Sequence, residues 1–147
     1  MRLTIDPQIY EGDPFFFMNW RLILSRIAGY GVEALEIDGT TFLIPSIDYE
    51  SLSVENTLGI WDIDPTDVLL VLLAHSDEEG AIYPVHLLPL ADRLEELLPE
   101  IPDFSHYEAD SRHLKKEISM TEKFIAGCRK AHEQDRAVTF HLEDFEG

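Results

Sequence analysis

Apolar positions fall into two kinds of pattern along the chain. In "GDPFFFMNWRLILSRIAGYG", Phe16, Trp20, Ile23, Leu24 and Ile27 recur at 3.6-residue spacing. Asp13 suits the N-cap and Pro14 the first helical position, where a missing N–H costs nothing. Arg26 suits the last turn and Gly29 the left-handed position beyond it. The pattern predicts a helix over 14–28, with Phe15, Met18 and Leu22 widening its apolar stripe. "VEALEIDGTTFLIP" reads differently. Asp38-Gly39 is a two-residue turn signal, because both central positions of a type I′ turn need positive φ. It predicts a hairpin of Val32–Ile37 and Thr40–Ile44 closed by Pro45, which cannot donate to a ladder.

The centre of the chain is ambiguous. "VLLVLLAH" (Val68–His75) is apolar throughout, and periodicity alone does not separate a buried strand from a buried helix. The acidic turn "SDEEG" that follows favours a central strand, with Ala81–Leu87 pairing back across it. The alternative is a helix capped by Asp64 with Pro65 at its first position. Further on, "PLADRLEELLPEIP" predicts a helix over 89–98 with Leu90, Leu94, Leu97 and Leu98 inward and Pro99 and Pro102 at its exit. "DFSHYEAD" reads as a loop. Leu114, Ile118, Ile125, Cys128 and His132 suggest a helix over about 111–134, and Ser119-x-x-Glu122 could restart it as a capping box. "RLTI" at the start suits a short edge strand ended by Pro7, and Ala137–Leu142 a last strand. These elements predict one α+β domain over 1–147: a mixed or mostly antiparallel sheet of four to six strands, with about three helices mainly on one face.

Composition adds charge to this picture. The 147 residues hold 29 Asp and Glu against 11 Lys and Arg, a net charge of −18. Residues 1–111 carry 22 acidic and 4 basic residues, whereas 112–147 carry 7 of each and all four lysines. Such a field repels nucleic acid and anionic membranes and attracts basic proteins. No apolar run approaches the roughly 20 residues of a membrane span, and the N-terminus lacks a secretory pattern. Cys128 is the single cysteine. It excludes an internal disulfide, and the expected location is cytoplasmic.

Several constellations could carry chemistry, and each has a structural competitor. Asp62, Asp64 and Asp67 spell D-x-D-x-x-D, but Asp67 stands where a calcium loop needs Gly and Leu73 where it needs a bidentate acid. His75 beside Asp77, Glu78 and Glu79, facing His86 across the proposed hairpin, could share a metal or proton. His106, Glu108, Asp110 and His113 lack the H-E-x-x-H register and read equally as a loop entering a helix capped by Asp110. Cys128 and His132 share a helix face, yet a small buried thiol explains Cys128. "GYGVEA" follows a helix and precedes a strand, the wrong context for a dinucleotide fingerprint. The basic residues of Arg112–Arg136 alternate with Glu117, Glu122, Glu133 and Asp135, as on a solvated helix.

No cofactor or metal motif emerges. The expectation is a non-enzymatic acidic binding module for a basic protein, one form being an inhibitor or immunity-type protein. Asp62, Asp64, Asp67, Asp77, Glu78 and Glu79 would steer encounter and Trp61 and Tyr83 anchor it. The alternative is a small metal-dependent or hydrolytic enzyme using the His, Asp and Glu clusters. A third class is an assembly component that self-associates through Phe15–Phe17.

Overall fold

The structure, a computed structural model, describes residues 1–47, 67–74, 80–105 and 111–143. It is α+β with two antiparallel sheets. The chain runs β1 (Arg2–Asp6), β2 (Tyr10–Gly12), α1 (Pro14–Ile27), β3 (Val32–Ile37), β4 (Thr40–Pro45), α2 (Leu69–Leu73), β5 (Gly80–Ile82), α3 (Pro84–Leu97), α4 (Ile101–Phe104), α5 (Arg112–Glu133) and β6 (Val138–Glu143). The larger sheet has the order β2-β1-β6-β5 and the smaller is the β3-β4 hairpin.

In the larger sheet the period of two sorts side chains by face. Leu3 and Ile5 of β1, Ile82 of β5, and Val138 and Phe140 of β6 are buried, and Ile5 stands opposite Phe140. Arg2, Asp6, Thr139, His141 and Glu143 lie on the exposed face. Phe140 meets Phe17 of α1 and Phe124 of α5, at 5.6 and 6.5 Å between ring centroids. β1 is an inner strand, not the edge strand expected. Its outer neighbour, β2, is only three residues long, too short for its period to be read in sequence.

Helix α1 forms as the punctuation predicts. The Asp13 carboxylate accepts from the Phe15 amide, Pro14 opens the helix, and Gly29 takes φ +90° beyond its end. Trp20 is fully buried, stacks on Phe124, and donates from Nε1 to Thr121 Oγ1 at 2.9 Å. Arg21 is buried too. Its guanidinium lies 4.5 Å from the Phe17 ring centroid and donates to the Leu72 and Leu73 carbonyls.

Those carbonyls end α2, which overturns the strand expected over Val68–His75. The run is helical from Leu69 to Leu73, and Ala81–Leu87 does not pair with it; β5 pairs with β6 instead. The physical reason is that both helix ends find partners. The Asp67 carboxylate takes the Leu69 amide at one end and Arg21 takes carbonyls at the other. Asp67 thus does the capping assigned to Asp64.

Helix α3 starts at Pro84, five residues before the start expected at Pro89. Both prolines fit a first helical position. The earlier start buries His86 and Leu87, and this offsets the hydrogen bond that Pro89 removes inside the helix. Residues 98–104 continue as a 3-10 turn and the short α4. Helix α5 runs unbroken, without the restart at Ser119. Its cap is Ser111, not Asp110: Ser111 Oγ accepts from the Leu114 amide at 3.1 Å. Its buried stripe includes Leu114, Glu117, Met120, Phe124, Cys128 and Ala131, so Glu117 faces inward and accepts from the Ser105 hydroxyl at 2.7 Å.

Candidate functional site

Three places hold polar or apolar groups whose arrangement goes beyond packing. The first is the β3-β4 hairpin. Asp38 and Gly39 both take positive φ, as the turn type demands. The strands pair in full register from Val32 opposite Pro45 to Ile37 opposite Thr40. Yet the hairpin stands largely in solvent. Leu35 is 41%, Ile37 50% and Leu43 48% exposed, interspersed with exposed Glu33, Glu36 and Asp38. Leu35 and Ile37 share one face of the ribbon and Leu43 lies on the other, so apolar groups stand among carboxylates on both sides.

The second place anchors the foot of that hairpin. Tyr30 donates its hydroxyl to Asp67 Oδ2 at 2.8 Å, and Arg93 of α3 grips the same carboxylate with Nε and Nη2, both at 3.3 Å. Arg93 also reaches Glu96 at 3.1 Å. Burial alone would raise the Asp67 carboxyl, but the Leu69 amide, Tyr30 and Arg93 outweigh it and hold the group below its ordinary value. Burial and the bond to Asp67 push the Tyr30 hydroxyl up to about 12. Asp67 is therefore engaged inside the molecule. Elsewhere on α3, Asp92 and Glu95 pair with Arg129 of α5, at 3.6 Å for Asp92, and Glu100 and Asp103 beyond the helix are exposed.

The third place is a groove of about 580 Å³ between β2, the first turn of α1 and the N-terminal half of α5. Tyr10 and Phe16 stack at 5.6 Å in it, and Phe15, 55% exposed, borders it. The cationic side is a stripe of α5 carrying Lys116 and Lys123, with His113 one turn before them. Glu11 and Asp13 lie opposite; Glu11 pairs with Arg2 and Asp13 caps α1. The aromatic triplet is thus divided: Phe17 is core, while Phe15 and Phe16 line the groove.

Among the residues singled out from sequence, Trp61, Asp62 and Asp64 lie outside the described residues, as do His75, Asp77, Glu78 and Glu79, and His106, Glu108 and Asp110. Tyr83 is half-buried at the N-cap of α3. His86 is not on a strand across a hairpin but buried in the first turn of α3. His113 is exposed in the first turn of α5 and reaches the groove. Among the described residues, no three His, Cys, Asp or Glu side chains gather as metal ligands would. Burial pushes the Cys128 thiol up to about 12, the reverse of what a nucleophile needs, and His132 beside it is exposed. No helix among the described residues is long and apolar enough to cross a membrane.

Sequence reasoning missed the hairpin as a site, although it foresaw its strands. The signal was there: Leu35, Ile37 and Leu43 put apolar groups on both faces of a ribbon that has only one core to meet. It also missed Arg21, Arg93 and the groove, whose walls come from residues about 100 positions apart. Searches of protein-family models, curated proteins and solved structures give no match to the chain.

Proposed function

We propose that this protein is a non-enzymatic binding module that engages a basic protein through an acidic surface with apolar anchors. One form is an inhibitor or immunity-type protein acting in the cytoplasm, where the single buried Cys128 stays reduced. The observation that carries the reading is the exposed hairpin, with Leu35, Ile37 and Leu43 set among Glu33, Glu36 and Asp38. Its apolar side chains supply the desolvated anchors that give affinity. Its carboxylates, with Asp62, Asp64, Asp77, Glu78, Glu79, Glu100 and Asp103, supply the field that draws a cationic partner and repels nucleic acid. Trp61 and Tyr83 are further anchors in the proposal.

The test is capture of a partner from native lysate at low salt, followed by stopped-flow kinetics. The Debye length falls from about 30 Å at 0.01 M salt to about 8 Å at 0.15 M, so association should slow steeply across that range. Substituting Glu33, Glu36 and Asp38 by their amides should lower the association rate more than it raises dissociation. Substituting Leu35, Ile37 and Leu43 by Ser should mainly speed dissociation. Association indifferent to salt and to both triple substitutions would sink the proposal.

A further inference from the structure

The groove beside α5 has a charge opposite to that of the molecule around it. Lys116 and Lys123 are seven residues apart on α5 and so share a face, with Ser119 and Met120 between them. Neither lysine forms an ion pair among the described residues, whereas the two carboxylates opposite are already committed, Glu11 to Arg2 and Asp13 to the Phe15 amide. With Glu11 offset by Arg2, Lys116 and Lys123 face one remaining carboxylate, Asp13, so the groove keeps one positive charge in excess, in a chain of net charge −18. Beneath the cations lie the stacked Tyr10–Phe16 pair and Met120, an apolar bed for a flat or flexible body. The volume of about 580 Å³ is within the range that holds small molecules.

From this juxtaposition of lysines without an ion pair among the described residues and an aromatic bed we infer that the groove binds a small organic anion, an aryl or alkyl carboxylate. The apolar body lies against Tyr10, Phe16 and Met120, and the carboxylate lies between Lys116 and Lys123. Asp13 is the one groove carboxylate without a cationic partner among the described residues, so a cation of the same shape should bind more weakly than the anion. This site is separate from the hairpin and stands whether or not the acidic surface binds a protein.

The test uses the full chain and four probes with one phenylalkyl body: phenylpropionate, its amide, phenylpropylamine and phenylalanine. Backbone amide NMR shifts are followed on titration. Phenylpropionate should bind most tightly, with shifts centred on Tyr10, Gly12, Phe15 and Met120. The double variant Lys116→Gln/Lys123→Gln should weaken phenylpropionate roughly fivefold, as two exposed ion pairs allow, and leave the amide unchanged. Lys115→Gln/Lys130→Gln, on the same helix outside the groove, should change neither. Equal or tighter binding of the amine or the amide would overturn the assignment. So would shifts centred elsewhere, no shift with millimolar phenylpropionate, or binding confined to an acidic aromatic peptide.

Discussion

The larger sheet and the β3-β4 hairpin are built from the same kinds of strand and hold their shape for different reasons. In the larger sheet the inner face of β1, β5 and β6 is buried, and Phe140 is gripped by helices from both halves of the chain. In the hairpin most positions are exposed, and the register comes from Asp38-Gly39 and the ladder itself. The sheet is specified by distant partners, the hairpin by its own turn. Hence the sheet should carry the stability of the fold, while the hairpin is free to spend its apolar side chains on something outside it.

The largest test of that division is Trp20→Ala. It removes a fully buried indole and its bond to Thr121, and should cost about 3–5 kcal/mol in denaturant unfolding. Next is Gly127→Ala in α5. A Cβ there would collide with Ile9 Cγ1 and Cδ1, and Ile9 is itself buried. A gain of up to about 1 kcal/mol in helix propensity should be outweighed by an overpacking cost of about 1–3 kcal/mol, a net loss visible in the melting temperature.

Alkali should separate the two regions. The Cys128 thiol rises from 9.0 unfolded to about 12 folded, so its contribution is intact below pH 9 and is lost as pH climbs toward 12. The slope approaches roughly 1.4 kcal/mol per pH unit. Tyr30, at the hairpin foot, rises from 10.0 to about 12, so its loss begins a unit later. From pH 9 to 10 stability should fall in the wild type and flatten in Cys128→Ala, whereas Tyr30→Phe should lower stability at neutral pH through the lost bond to Asp67 and, in the alkaline range, change the slope only above pH 10. Arg93→Met should cost about 1 kcal/mol overall. Its sharper signature is faster hydrogen exchange in β3 and β4 with the larger sheet unchanged, because Arg93 holds Asp67 and Asp67 holds Tyr30. Uniformly faster exchange would mean that the hairpin and the sheet open as one unit. The smallest effect is Leu35→Ser, expected to change stability by under about 0.5 kcal/mol. A larger loss would show that the hairpin is part of the core after all.

Elements with local punctuation were legible in the sequence. Helix α1 announces itself through Asp13-Pro14 and Gly29, and the hairpin through Asp38-Gly39. What failed was whatever depends on a distant group. The run "VLLVLL" is a helix because Asp67 and Arg21 serve its ends, and Arg21 lies some fifty residues earlier in the chain. The choice between Pro84 and Pro89 as the start of α3 rests on whether His86 and Leu87 find a core. The stripe of α5 was half seen, since Glu117 and Gly127 do not look like core residues until Ser105 and Ile9 stand beside them. Similarly, the acidic character of the surface could be counted in the sequence, but the basic groove could not. Its lysines look balanced by Glu117 and Glu122 until Glu117 is seen to turn inward to Ser105 and the lysine stripe to meet Tyr10 and Phe16.

The exposed hairpin also has a colloidal consequence. Among the described residues β3 and β4 pair only with each other, so each presents an open edge to any second ribbon. Glu33, Glu36 and Asp38 act as gatekeepers there, keeping like ribbons apart by repulsion. The net charge that keeps whole molecules apart vanishes at the isoelectric point near 4.4. Turbidity should therefore peak around that pH, and Leu35→Lys with Ile37→Lys should suppress it at the unchanged protein concentration. Acidification to the isoelectric point would make the exposed hairpin the part of the molecule that precipitates it.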